Sequence, residues 1–240
     1  MTGDGKRASD STTRFSACAD DYARFRPRYP SAVYDYLSEF AALRADSLVV
    51  DVGAGTGLFT RPWLERGHRV CAVEPNAHMR ETAAHELRDF AGLQLVDGTA
   101  EHTGLADGCA TLMCAAQAFH WFDPPVTRGE FQRVLRPGGL LGIVVPGYPQ
   151  SEFFVGHLTL WTPALLLYNL ASAGWDCREA EYFTTTDRKH IALAVPNRPI
   201  HNMPAGKGWD VWSGLKRYLP VEFTHKMDAW LPDRWSEEAP

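Results

Sequence analysis

Apolar positions along this chain alternate between two rhythms. Five short, largely apolar runs, SLVVDVG (47–53), HRVCAVEP (68–75), GLQLVDG (92–98), CATLMCAAQ (109–117) and LLGIVVP (140–146), read as strands. Between them the 58–65, 77–90 and 125–135 stretches read as helices, the first ending near Gly67 and the last stopped by Pro137-Gly138-Gly139. Ahead of the first strand, Pro27 and Pro30 break two helical patterns. The second of these carries Val33, Tyr36, Leu37, Phe40 and Leu43 at helical spacing, which predicts a helix over 31–43 with Ser31 as N-cap. After residue 149 a helix over 163–173 ends at Gly174, and extended pieces at 179–184 and 190–195 are placed to pair as antiparallel edge strands.

Strands alternating with helices at this period require a parallel sheet with right-handed crossovers. The predicted fold is α/β: a Rossmann-like, doubly wound, mostly parallel seven-stranded sheet with helices on both faces, plus N-terminal helices and a helical C-terminal extension. Three segments are expected. Residues 1–14 are polar and read as a disordered tail, 15–196 as the ligand-binding domain, and 197–240 as a Trp-rich extension. In the extension a turn-rich stretch (197–208) precedes two apolar series, Trp209, Trp212, Leu215 and Leu219, then Phe223, Met227 and Trp230. Such faces pack onto the domain, cover a second copy in a homo-oligomer, or form a lid or substrate wall.

Composition narrows the partners. With 240 residues, 45% hydrophobic and 22% charged, the chain resembles an ordinary globular domain. A net charge of −5 and no concentrated basic face argue against nucleic-acid substrates. The five cysteines follow neither a metal nor a disulfide rhythm and fit a reducing cytoplasm. The polar N-terminus lacks a secretory core, and no apolar run is long enough to span a membrane, so neither export nor membrane insertion is expected. The nine histidines show no HxH or HxxxH pairing, and no metal site is expected.

The chemistry concentrates in VVDVGAGTGLFT (49–60), an apolar strand, an Asp and three glycines at alternate positions. Such a strand-to-helix turn brings main-chain N–H groups to a ligand at a helix N-terminus. A dinucleotide fingerprint spaces its glycines G-x-G-x-x-G. Here they stand at Gly53, Gly55 and Gly57, with Leu58 where the third dinucleotide glycine belongs, and Asp51 two residues ahead. Glu74, 23 residues after Asp51 and at the end of the second strand, is placed to accept hydrogen bonds from both hydroxyls of a ribose.

Together these features resemble the class I S-adenosylmethionine-dependent methyltransferases. Within them the chain is similar to the small-molecule branch called methyltransferase type 11, or the ubiquinone/menaquinone-biosynthesis type. The resemblance rests on DDYARFRPRYP (20–30), VVDVGAGTG (49–57), AVEPNAHM (72–79), DGTAEHTGLADG (97–108), AAQAFHWFD (115–123) and VLRPGGLLGIV (134–144), in that order. It implies S-adenosyl-L-methionine as cofactor. Gly53, Ala54, Gly55 and Gly57 would line its methionine and ribose portions, with Asp51 bracing the loop or meeting the amino group. Glu74 would hold the ribose hydroxyls, and Pro75 and Met79 would flank the adenine. Thr99, Ala100 and Glu101 would read the adenine edge, although many relatives carry Asp at the Thr99 position. Ala116 and Gln117 would sit near the sulfonium, and Tyr22 and Arg26 would cover the methionine end.

Methyl transfer is an in-line displacement, so alignment supplies much of the acceleration and a catalytic side chain is not obligatory. His120, just beyond the fourth strand, is the candidate base, or else packs against Trp121. Phe119, Trp121 and Phe122 form either an aromatic wall or core. Asp123-Pro124-Pro125 reads as a helix start. The expected activity is methyl transfer to a small organic acceptor. The alternatives are a protein of this fold that binds the cofactor but catalyses another reaction or serves as a binding module, and a methyltransferase for a saccharide or protein.

Overall fold

The computed structural model describes residues 28–146, 162–186, 190–201, 203 and 214–228. The first described helix, α1 (Ser31–Phe40), buries Val33, Tyr34 and Leu37. Its N-cap is Pro30 rather than Ser31, and no side chain caps it. Proline fixes the extended backbone that admits the helix, so Ser31 becomes the first helical residue. The helix also stops at Phe40, three residues before the apolar pattern ends, because Ala42 takes a left-handed φ of 46°.

β1 (Leu48–Val52), β2 (Arg69–Val73), β3 (Leu93–Val96), β4 (Ala110–Ala116) and β5 (Leu135–Pro146) alternate with α2 (Thr60–Glu65), α3 (Ala77–Glu86) and α4 (Pro124–Val134). There follow α5 (Pro163–Ser172), β6 (Glu181–Thr184), β7 (His190–Pro196) and α6 (Val221–Asp228). The sheet order is β3-β2-β1-β4-β5-β7-β6. β1 to β5 run parallel, and β7 pairs antiparallel with both β5 and β6. The chain starts in the middle of the sheet, winds outward to β3, then returns to β4 on the other side of β1. That reversal opens a crevice at the carboxyl ends of β1 and β4.

Alternation along the central strands feeds two cores. Val49, Val70, Leu112, Cys114 and Val144 pack with α1 and Trp63. Val50, Val73, Met113, Leu141 and Ile143 pack on the other face with Phe131, Leu166 and Leu170. A two-residue period sends neighbours to opposite faces, and burial on both faces explains why these strands read as nearly continuous apolar runs.

Asp123 caps α4, accepting the Val126 N–H, and prolines occupy its first turn. α3 is shorter than its apolar pattern, ending at Glu86, while Leu87 still inserts into the core. β5 starts five residues before LLGIVVP because Leu135 pairs with Ala110, after which the register shifts so that Leu140 meets Leu112. Of the C-terminal extension, Leu215, Leu219 and Phe223 are buried in the α5-side core, and Cys177 N–H donates to Tyr218 O at 2.8 Å. Residues 1–14, Trp209, Trp212 and Trp230 lie outside the described residues. Among the described residues no helix is long and apolar enough to cross a membrane.

Candidate functional site

The carboxyl end of β1 carries the glycine turn. Gly53 and Ala54 N–H both donate to Val73 O, at 2.9 and 3.2 Å, which ties the turn to the end of β2. Gly53 has φ +71°, and a Cβ there would lie 2.6 Å from the Ala118 Cβ, so the β1 and β4 loops touch only because this residue has no side chain. Gly55 has φ +58° and nothing within 4 Å of its absent Cβ, so the backbone there faces open space.

Two acids flank this turn. Asp51 is 1% exposed. Its Oδ2 accepts the Thr60 hydroxyl at 2.6 Å, while its buried Oδ1 has no hydrogen-bond partner among the described residues. Burial pushes its carboxyl up to about 7, with the nearby Glu74 charge adding to the shift and the Thr60 bond opposing it. Glu74, 8% exposed, accepts Gly55 N–H on Oε2 and Asn76 N–H on Oε1, both at 2.9 Å. Burial raises its pKa as well, against those two N–H groups and Arg80. Each Glu74 oxygen retains a second lone pair for a ligand hydroxyl. The Thr56 hydroxyl is also buried without a partner among the described residues.

A cleft at this edge is lined by Tyr29, Asp51, Gly53, Ala54, Gly55, Thr56, Leu58, Phe59 and Ala116. Tyr29, Thr56, Leu58 and Phe59 were missed as site residues in the sequence. The signals were there: Thr56 stands between two of the glycines, and Tyr29 belongs to the RPRYP stretch. The Tyr29 ring meets Phe59 edge-on at 4.9 Å. Tyr22 and Arg26 lie outside the described residues.

Pro75 and Met79 follow Glu74 at the start of α3, where Asn76 caps the helix through Met79 N–H. Arg80 Nη1 donates to Glu74 O and Pro75 O, both at 2.8 Å, and the guanidinium pairs with Asp97 at 2.9 Å. Thr99, Ala100 and Glu101 form the next loop. The Thr99 hydroxyl accepts His102 N–H at 3.2 Å, and Ala100 is buried. Glu101 Oε1 accepts Asp123 N–H at 3.1 Å and the Thr127 hydroxyl at 3.3 Å.

Beyond Ala116, Gln117 takes a left-handed φ of 54°, a conformation costing a non-glycine residue about 1–2 kcal/mol, and its N–H donates to Val144 O at 2.7 Å. His120 then sits exposed in the 3-10 turn Phe119–Trp121, its ring 4.8 Å from that of Trp121. Phe119 and Phe122 contact each other at 6.2 Å, and Phe122 meets Phe131 at 6.1 Å. They belong to the core, so of the three aromatics only Trp121, 43% exposed, faces outward. Among the described residues no group of three or more His, Cys, Asp or Glu could hold a metal ion. A larger hollow of about 1040 Å³ lies at the opposite edge of the sheet, lined by Gly138, Arg178, Glu181 and Asn197 among others, and none of the sequence-predicted residues reaches it.

Residues 50–143 match the family described as "Methyltransferase domain". That stretch, from β1 through β5, is where the chain is similar to methyltransferases. An uncharacterized methyltransferase of Mycobacterium tuberculosis is 41% identical over 135 residues, 56% of this chain and 53% of that protein. The malonyl-[acyl-carrier protein] O-methyltransferase of Pectobacterium atrosepticum is 30% identical over 129 residues, 53% of this chain and 48% of that protein. The chain thus spans about half the length of these curated relatives. Among solved structures, a SAM dependent methyltransferase from Aquifex aeolicus aligns with a TM-score of 0.59 at 14% identity, covering 82% of this chain and 100% of that one. The [4+2]-cyclase SpnF aligns with a TM-score of 0.63 at 16% identity, covering 80% and 96%. Both share the fold of this chain.

The buried Asp51 makes stability depend on pH. The unfolded chain releases this proton near pH 4, whereas the folded chain keeps it to about 7. Between those values the folded state binds the extra proton, so the contribution of this group to stability falls as pH rises, by up to about 1.4 kcal/mol per unit, and levels off above. Asp51→Asn removes the effect. Urea unfolding of the ligand-free chain from pH 4 to 8 should find the variant gaining on wild type up to pH 7; a constant difference would contradict the effect of burial on this carboxyl.

Proposed function

We propose that the chain is an S-adenosyl-L-methionine-dependent methyltransferase acting on a small organic acceptor. The observation that carries this reading is the pair of buried acids around an open glycine backbone. Asp51 Oδ1 and Thr56 Oγ1 are oxygens without partners among the described residues, and Glu74 is held by two N–H groups with lone pairs to spare. Burial disfavours the charge on both acids. A ligand bearing a cation at one end and a diol at the other relieves each of these costs.

In this reading Asp51, with Thr56 beside it, receives the amino group, Glu74 accepts the ribose hydroxyls, and Gly53 to Gly57 lie along the ligand. Pro75 and Met79 wall the adenine, and the backbone at Thr99 to Glu101 meets its edge. Ala116 and Gln117 close the cleft at the end of β4. Tyr29, and Tyr22 and Arg26 from the sequence motif, cover the methionine end and exclude water. The cofactor supplies an electrophilic methyl group on a cationic sulfur. The chain's task is then alignment, with the acceptor held in line against Ala116 and the Phe119–Trp121 turn. Where the acceptor is a hydroxyl or amine, an imidazole nitrogen of His120 takes up its proton.

A second reading is a non-methylating enzyme that binds the same cofactor, and the likeness in fold to a [4+2]-cyclase favours keeping it. Incubation with S-adenosylmethionine labelled in the methyl group and a metabolite extract separates the two. Label should pass to an extract component; tight cofactor binding with no transfer would favour the second reading. Glu74→Ala should weaken S-adenosylhomocysteine binding by about 1.5–3 kcal/mol in calorimetric titration, the worth of hydrogen bonds to a charged group. Unchanged affinity would remove Glu74 from the cofactor site.

A further inference from the structure

The loop between β3 and β4 is fastened along one face of α4. Thr103 donates from both its N–H and hydroxyl to Glu130 Oε1, at 2.8 and 2.6 Å. Arg133 reaches back to Leu105 O at 2.8 Å and pairs with Asp107 at 2.5 Å. At the head of this series stands Glu101, whose Oε1 accepts Asp123 N–H and the Thr127 hydroxyl. Thr127, Glu130 and Arg133 follow one another at three-residue intervals, so a single helix face holds the whole loop.

The Glu101 contact differs from the other two in what it fixes. Asp123 is the N-cap of α4 and directly follows the Phe119–Trp121 turn and Phe122. Its own carboxylate accepts Val126 N–H, and Glu101 takes the N–H of Asp123 itself, the donor that a glutamate three residues into the helix satisfies in a capping box. The other end of the turn is pinned by Gln117 N–H to Val144 O. The segment that bears His120 and Trp121 is therefore held between a fixed strand end and a carboxylate that belongs to the loop expected to meet the adenine.

We propose that Glu101 is a positioning residue, a tether through which cofactor occupancy orders the acceptor-side turn at residues 118–123. The proposal rests on the cofactor reading above and assigns the carboxylate to α4 instead of the adenine. Order propagates because Glu101 is contiguous with Thr99 and Ala100: ligand contact that stills this loop stills Asp123 through the shared oxygen.

Hydrogen–deuterium exchange with and without saturating S-adenosylhomocysteine tests it, with affinity measured separately by calorimetry. In wild type the ligand should slow exchange across 118–123 by about tenfold. With the site saturated in each variant, Glu101→Ala should lose that gain, while Glu101→Gln, whose amide oxygen still accepts both bonds, should keep it. Thr127→Val keeps the test usable if Glu101→Ala does not fold, and should lose part of the gain. Glu130→Ala, which cuts the fastening lower on the same face, should lower the melting temperature yet retain the gain. A gain that persists in Glu101→Ala, or is absent in a wild type that binds the ligand, overturns the tether. Loss of about tenfold affinity in both Glu101 variants returns the carboxylate to the ligand and also overturns it. Failure of wild type to bind S-adenosylhomocysteine overturns the cofactor reading itself.

Discussion

The burial of Asp51 beside Glu74 is the constraint on which the site depends. Taking a carboxylate out of water costs several kcal/mol unless partners replace the solvent. Thr60 supplies one bond to Asp51, and two backbone N–H groups serve Glu74. No basic side chain reaches Asp51 among the described residues, and burial is the largest influence on both acids. The strand that holds Asp51 lies inside the sheet, flanked by β2 and β4, so the acid cannot move out to solvent without breaking the ladder. A fold that retains this arrangement keeps a site whose electrostatic deficit a cation can fill.

The surrounding architecture brings the loops of three strands to that deficit. The reversal of strand order between β3 and β4 leaves the carboxyl ends of β1 and β4 adjacent. The missing side chain of Gly53 then lets the two loops close to contact at Ala118. Gln117 accepts a strained backbone to make the turn, and its N–H to Val144 holds it there. From that point the chain passes through the His120 turn to α4, which the β3–β4 loop clasps along its length. The loops after β1, β3 and β4 thus share a frame of packed strands and one helix.

Much of this was legible in the sequence because it follows from local rules. Continuous apolar runs specify strands buried on both faces, and alternate glycines specify the turn after β1. Asp123 followed by two prolines specifies the start of α4. The edge hairpin was legible too, since β6 and β7 pair antiparallel as their short extended runs predict. What escaped depends on distance in space. The contacts of Glu101 run to Asp123 and Thr127, 22 and 26 residues away at the start of α4, a separation no local rule spans. Phe119 and Phe122 read in the sequence as either wall or core, and only their packing against Phe131 decides for the core. Tyr29 and Thr56 enter the cleft through the path of the backbone, which periodicity does not encode. Ser31 fails as a cap because the preceding proline already sets the entry to the helix.

The central claim is that this cleft takes a nucleoside cation rather than a dinucleotide. Calorimetric titration of the wild-type chain with S-adenosylhomocysteine and, separately, with NAD tests it most directly. The account predicts saturable one-site binding of S-adenosylhomocysteine and no measurable binding of NAD at the same concentrations. Preferential binding of NAD, or no binding of S-adenosylhomocysteine, would contradict it.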